Sequence, residues 1–508
     1  MKLSVHRKLL FLAVSTAMFV LALPPNSTGF TAWLAFIPLL VVLHDTRNVQ
    51  GGLLWGLVFG LMVSSTGFWW LVYPSGKGMV ASILYLSLFW ALAGGVYALI
   101  DRMNRGIGTW LFPVIILFME YARGFGRLGF PWHDLAYTQT YYRILIQYAD
   151  ITGPAGVSFW VAALNVAFFM LITYALKQDR RRLILAATAV IIMFAGPLIY
   201  GKWAINRYQN FDRVLKAAVL QANIDPYTKW DREHRHLSMD RYTEMIDSVA
   251  RQKPDLIVMP ESATAGYWRR RSTRFDLLTK RAKNYGIPIL TGTLDYDPEN
   301  RHEYYNAAYF INPFGKDEVY FKMQLVPMSE QIPWQENSEF LRELDVGGSH
   351  FTRGSDFRVF EMPIRSHPND TARFGVGICY EALFPEIIRQ FRKRGANLIL
   401  NITNDGWFKR SPGAWQNLRF NVFRAIENRT YIIRSANTGV SCFVDPTGII
   451  YSAAGLYEKA TMLDEVGLAQ KRLTLYTEHG NVMGFAAFIS VLLLSVIGLF
   501  RKGDNGEI

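Results

Sequence analysis

Cysteine is nearly absent. The chain of 508 residues holds two, Cys379 and Cys442, so at most one disulfide can form within it. Neither cysteine lies at zinc-ligand spacing with the nine histidines, and "HRH" (234–236) sits in a charged stretch that reads as surface. No metal or other cofactor is therefore expected. Charge is scarce too: 19% of residues are charged against 51% hydrophobic and 14% aromatic, which is rich for a soluble protein. Acidic residues are fewer than basic ones, 41 against 54, for a net charge of +13. No nucleic-acid-binding motif accompanies that excess. The basic residues cluster instead at the ends of apolar runs, as membrane topology requires. Internal repeats and low-complexity segments are lacking.

The apolar residues are unevenly spread. A bilayer-spanning helix needs about 20 mostly apolar residues. Candidate spans fall at 9–24, 29–44, 52–72, 79–100, 109–122, 157–176, 183–200 and 482–500. The first two are short and separated by "LPPNS", and the fifth is interrupted by Pro113. Starting from Lys2, Arg7 and Lys8 on the cytoplasmic side, alternation puts Arg47, Arg102, Arg105 and the run Lys177, Arg180, Arg181, Arg182 on that side. It also puts Arg501 and Lys502 there. A cleavable signal peptide at residues 1–24 would spoil this alternation. The expected organisation is a bundle of about seven spans over 1–200, a globular domain over 201–480 outside the cytoplasm, and a last span and tail over 481–508. The glycine- and aromatic-rich stretch 120–140 lies between spans on the outer side, as an interfacial belt or a substrate-facing segment.

Within 201–480, short β-rich runs alternate with polar, helix-like stretches. "LKAAVLQANI", "PDLIVMPES", "IPILTGTLDY", "YYNAAYFINPFG", "EVYFKMQLVP", "RFGVGICYEALF", "ANLILNITNDGWF", "TYIIRSAN" and "GVSCFVDPTGII" read as strands. A helix is predicted over 414–429. Continuous apolar strands alternating with helices indicate an α/β layered domain. Three strand ends carry unusual residues: Glu261 after "IVMP", Lys322 in "VYFKMQLVP" and Cys379 after "FGVGI". Singly, a solvated carboxylate, an edge lysine and an inert packed cysteine are the ordinary readings.

Together, in the order "MPES", "FKMQLVPMSEQIP", "GICYE" and "NDGWF", these runs resemble the nitrilase superfamily over about 215–465. The resemblance implies an αββα sandwich with a Glu-Lys-Cys triad. With about eight transmembrane helices around it, the whole chain is similar to the apolipoprotein N-acyltransferase family of the bacterial inner membrane. "LQANIDPYTKW", "YYNAA", "AIENRTYIIRSANTGVS" and "DPTG" match further. The resemblance implies Cys379 as nucleophile, Glu261 as general base and Lys322 as cationic stabiliser, with Glu330, Trp230, Tyr380 and Glu381 near the reacting groups. It implies an acyl donor phospholipid such as phosphatidylethanolamine, a diacylated apolipoprotein acceptor and a periplasmic catalytic domain. A Cys379–Cys442 disulfide would quench such a nucleophile, so Cys442 is expected to be buried and inert. Met328 and Ser329 stand where the family has "FG", Asn417 where a histidine is common, and "PES" replaces "PET". The triad chemistry suits acyl transfer, since a covalent thioester divides one difficult step into two easier ones. A membrane-anchored amidase would use the same triad with water as acceptor. A transporter with a periplasmic binding domain fits less well, because the spans hold few ionisable residues, Glu120 being the main exception.

Overall fold

The computed structural model describes residues 3–46, 48–209, 211–226, 235–264, 266–270, 273–299, 303–334 and 350–500. The chain divides into two compact units, one of residues 1–205 with 481–508 and one of residues 206–480.

The first unit is helical. Six of its helices are long and apolar enough to cross a membrane: Val5–Ala22, Val49–Gly67, Gly76–Asp101, Ala149–Leu176, Arg180–Tyr208 and Val482–Phe500. The other two expected spans, 29–44 and 109–122, are each divided into two shorter pieces in the structure. The first is a 3-10 turn, Gly29–Trp33, followed by the helix Ile37–Asp45. The second is Ile107–Trp110 followed by Phe112–Arg123. Pro38 and Pro113 sit in the first turn of their helices, where a residue without an N–H starts a helix and cannot continue one from behind. At about 1.5 Å per residue the longer of these pieces reaches about 18 Å, short of the roughly 30 Å hydrocarbon core. The long helices approach closely. A Cβ on Gly94 would lie 2.3 Å from the Gly52 carbonyl oxygen, so Val49–Gly67 and Gly76–Asp101 touch backbone to backbone. Val482–Phe500 packs on Phe112–Arg123, with Phe118 and Phe488 stacked at 5.4 Å.

The second unit holds twelve strands among the described residues. In chain order these are β1 (Arg213–Gln221), β2 (Leu256–Val258), β3 (Ile289–Tyr296), β4 (Tyr304–Ile311), β5 (Glu318–Phe321) and β6 (Phe360–Pro363). They continue with β7 (Thr371–Ile378), β8 (Leu398–Thr403), β9 (Ile432–Ala436), β10 (Cys442–Val444), β11 (Ile450–Tyr451) and β12 (Ala460–Gly467). Two six-stranded sheets result, ordered β12-β1-β2-β3-β4-β5 and β11-β10-β9-β8-β7-β6. Each has three parallel strands at its centre, β1-β2-β3 and β7-β8-β9, flanked by antiparallel ones.

Strand alternation sorts side chains into layers. Leu215, Ala217 and Val219 of β1 join Phe374, Val376 and Ile378 of β7 in the core between the sheets. Ala218 and Leu220 face the other way, onto Tyr242, Ile246 and Val249 of the helix Arg235–Ala250. The second sheet packs on Ile388 and Phe391 of the helix Pro385–Lys393 and on Leu418 and Ala425 of Pro412–Asn428. This is helix, sheet, sheet, helix, the α/β sandwich expected. The helix Pro412–Asn428 covers the predicted 414–429; Ser411 caps its start by accepting from the Gly413 N–H. Strands β6 and β12 have no counterpart among the strands read from the sequence.

Candidate active site

Each of the three strand-end residues emerges where its strand stops. Cys379 directly follows β7 and opens the 3-10 turn Cys379–Leu383. Its φ is +52°, a left-handed conformation unusual for a side-chain-bearing residue, and it turns the chain sharply out of the sheet. Lys322 directly follows β5; its N–H donates to the Asn306 carbonyl at 2.9 Å. Glu261 lies just past β2 in a turn pressed against β3. The Gly292 N–H donates to the Pro260 carbonyl at 3.1 Å. A Cβ on Gly292 would sit 2.5 Å from the Glu261 Cα, so only glycine lets the strand pass beneath that turn.

The structure brings the three together. Lys322 Nζ lies 3.5 Å from Glu261 Oε1 and 2.8 Å from Glu330 Oε1, with the lysine and Glu261 both buried. Asn306 Nδ2 donates to both carboxylates, at 2.8 Å to Glu261 Oε1 and 3.0 Å to Glu330 Oε1. The Asn404 N–H donates to Glu261 Oε2 at 2.9 Å, and the Val326 N–H to Glu330 Oε2 at 2.8 Å. Both carboxylates, Glu261 buried and Glu330 partly so, are thus hydrogen-bonded on both oxygens. Cys379 is partly buried and close enough to feel both Glu261 and Lys322.

Charge and burial set the protonation states. Burial acts to lower the Lys322 pKa, but Glu330 and Glu261 outweigh it and keep the ammonium charged. Burial, and then the Glu261 carboxylate, hold the Cys379 thiol well above its ordinary pKa; Lys322 and a hydrogen bond with Thr403 oppose them without prevailing. The resting cysteine is a thiol that needs a base to become a nucleophile. Cys442 lies fully buried in β10, its thiol pushed up to about 12 by burial first. Both cysteines are free.

The remaining candidates separate. Glu330 joins the cluster as Lys322's nearer partner. Glu381 is fully buried and accepts four hydrogen bonds. Its Oε1 takes Tyr320 OH at 2.8 Å, the Met323 N–H at 2.7 Å and the Gln324 N–H at 3.1 Å; its Oε2 takes the Ile378 N–H at 2.8 Å. It therefore ties the end of β7 to the loop after Lys322. Its geometry is that of a positioning residue. Tyr380 is buried, edge-on to Phe384 at 5.1 Å. Trp230 lies outside the described residues. Asn306, Asn404, Thr403 and Asp405 were not singled out from the sequence, although "YYNAA" and "NDGWF" contain three of them. Those runs served to identify the pattern, and the long-range bonds that give each side chain its place have no local signature. Among the described residues no group of three or more His, Cys, Asp or Glu could hold a metal ion.

The comparisons follow the same division of the chain. The family model of carbon-nitrogen hydrolases matches residues 216–474, and that of the apolipoprotein N-acyltransferase N-terminal domain matches residues 15–167. The apolipoprotein N-acyltransferase of Geobacter metallireducens is 30% identical over 519 residues, covering 99% of this chain and 97% of that one. That of Chlorobaculum tepidum is 28% identical over 495 residues, covering 93% and 92%. Among solved structures, Saccharomyces cerevisiae Nit3, a member of branch 10 of the nitrilase superfamily, aligns at 20% identity. Its TM-score is 0.39, over 51% of this chain and 91% of that one.

The electrostatics generate a prediction about Cys379. Iodoacetamide should alkylate it slowly near neutrality, with a pH midpoint well above the ordinary thiol value of about 8.5. A negative charge beside an acid raises its pKa, so Glu261→Gln should lower that midpoint while Lys322 keeps its charge. The pH dependence of labelling on the Cys379 peptide measures this; an unchanged or higher midpoint in the variant would mean that Glu261 does not act on the thiol.

Proposed function

The chain belongs to the apolipoprotein N-acyltransferase family, and from that premise we propose that it moves a fatty acyl chain from a membrane phospholipid, through a thioester on Cys379, to the N-terminal amine of a diacylglyceryl-cysteine that begins an apolipoprotein. The observation that carries this reading is the convergence of Glu261, Lys322 and Cys379 in a chain matched along nearly its whole length by members of that family.

Glu261 takes the proton from Cys379 Sγ as the sulfur attacks the ester carbonyl of the donor. The C–S bond forms and the carbonyl oxygen becomes an oxyanion. Lys322 Nζ, with the Tyr380 backbone N–H beside the nucleophile, stabilises that charge. The tetrahedral species collapses, the lysophospholipid oxygen leaves, and Glu261 returns the proton to it. In the second half the acceptor amine attacks the thioester, Glu261 receives the amine proton, and the thiolate leaves and is reprotonated. Glu330 holds Lys322 and Glu381 holds the nucleophile's turn. Phosphatidylethanolamine is the expected donor headgroup.

The match to carbon-nitrogen hydrolases favours a second reading, an amidase that releases the acyl group to water. The two differ only in what ends the acyl-enzyme. With labelled-acyl phosphatidylethanolamine and purified full-length protein in detergent, label should move to a diacylated lipopeptide bearing a free amine. Cys379→Ala and Lys322→Ala should each lose at least about 100-fold, and Cys442→Ala should transfer normally. Label released as free fatty acid whether or not the lipopeptide is present would favour the hydrolase.

The protein is a multi-pass membrane protein, and we assign it to the bacterial inner membrane with residues 201–480 in the periplasm. The basic run Lys177, Arg180, Arg181, Arg182 between two long helices supports the assignment. Reporter fusions at residue 205 and at the C-terminus should report periplasmic and cytoplasmic sides respectively; a cytoplasmic signal at residue 205 would overturn the topology.

A further inference from the structure

Strands β7 and β8 run parallel with Ile378 opposite Ile402, so Cys379, which follows β7, adjoins Thr403, the last residue of β8. Thr403 is fully buried and adjoins Cys379 across the two strand ends, and its hydroxyl acts to lower the pKa of the Cys379 thiol. The same Oγ1 donates to Asp405 Oδ1 at 3.1 Å. Asp405 is itself buried and held from other sides: Asn417 Nδ2 donates to Oδ1 at 2.8 Å and Arg434 Nη2 to Oδ2 at 2.7 Å. Arg434, also fully buried, is fixed in turn by the Asn401 side chain and the Val440 carbonyl. Gly439 makes room for the carboxylate, since a Cβ there would lie 2.1 Å from Asp405 Oδ2. The Asn404 N–H, between these two residues, donates to Glu261. One three-residue segment thus adjoins the cysteine and donates to the carboxylate proposed to deprotonate it.

A hydroxyl carries one proton and two lone pairs. With the cysteine as a thiol, Thr403 donates to Asp405, accepts from Asn417 Nδ2 at 3.4 Å and keeps a second lone pair for S–H. With the cysteine as a thiolate, the hydroxyl is worth more turned to the sulfur, because a hydrogen bond to an ion is about twice as strong as a neutral one. Asp405 tolerates the loss, keeping Asn417 and Arg434.

We propose that Thr403 is a catalytic residue of this acyl transfer, its hydroxyl accepting from the Cys379 thiol at rest and turning to donate to the sulfur once Glu261 has taken the proton. The proton moves from Sγ to Glu261, and the Thr403 proton stays on Thr403 throughout and changes only its direction. Glu261 past β2, Lys322 after β5 and Asp405 after β8 are the charged groups that act on the sulfur. Glu330 is engaged by Lys322, and Glu381, in the sulfur's own turn, by Tyr320 and backbone N–H groups. The inference rests on Cys379 being the nucleophile.

The test compares wild type, Thr403→Val, Thr403→Ser and Cys379→Ala, as full-length protein in detergent. Two quantities are read: transfer from labelled phosphatidylethanolamine to the lipopeptide, and the pH midpoint of Cys379 alkylation by iodoacetamide. Thr403→Val should lower kcat by about 10- to 100-fold with little change in KM for the phospholipid, and should raise the midpoint by about one pH unit. Thr403→Ser should stay within about threefold of wild type. If the valine variant folds poorly, Thr403→Ala removes the same hydroxyl and is read in its place. A hydroxyl-free variant that matches wild type in rate and midpoint overturns the proposal. So does a serine variant as impaired as the valine one with an unshifted midpoint, because packing alone would then explain both. A Cys379→Ala protein that still transfers acyl groups would instead overturn the nucleophile assignment.

Discussion

A lysine ammonium buried between two carboxylates is the interaction on which the second unit depends. Lys322 is 1% exposed, and an isolated charge at that depth would cost several kcal/mol. Glu330 at 2.8 Å and Glu261 at 3.5 Å make it tolerable. The two distances also divide the labour. The nearer carboxylate is Lys322's standing partner, and the farther one, held by the Asn306 amide and the Asn404 N–H, faces the thiol with less of its charge committed. On the proposed mechanism that asymmetry makes Glu261 the base and leaves the ammonium for the oxyanion.

The sandwich exists around this cluster in a specific way. Lys322 and Glu261 come from different strand ends of the first sheet, Glu330 from the loop after β5, and the thiol from the second sheet. Their mutual position therefore depends on how the two sheets are tied. Glu381 supplies one tie, joining the β7 end to Tyr320 and the loop beyond Lys322. The Asn404 N–H on Glu261 supplies another, from the second sheet back to the first. Ser435 adds a third, its hydroxyl donating to the Leu220 and Val258 carbonyls at 3.4 and 3.3 Å. Each is a buried polar bond crossing an otherwise apolar interface, where a partner lost costs about 1–3 kcal/mol.

Much of this was legible in the sequence, for physical reasons. Runs such as "DLIVMP" and "NLILNIT" are apolar on both sides because central parallel strands are covered on both faces, and they became β2 and β8. The charged or thiol residue ending such a run stands out because it interrupts apolar monotony. Strand β12, "ATMLDEVG", escaped because an edge strand that is half exposed mixes polar and apolar residues. The breaks within 29–44 and 109–122 were not placed, since hydropathy continues through the point where a proline starts a new helix. Thr403, Asp405 and Arg434 were illegible as a group. Arg434 lies 29 residues from the aspartate it neutralises, and only the parallel register of β8 and β9 brings them together.

The central claim is that Cys379 carries the acyl group between two substrates. The most direct measurement is the intact mass of the full-length protein after incubation with phosphatidylethanolamine and no acceptor. The account predicts a gain of one acyl chain, located on the Cys379 peptide and released by neutral hydroxylamine, as a thioester requires. A protein that transfers acyl groups to lipopeptide yet never gains that mass, or gains it on another residue, would contradict it.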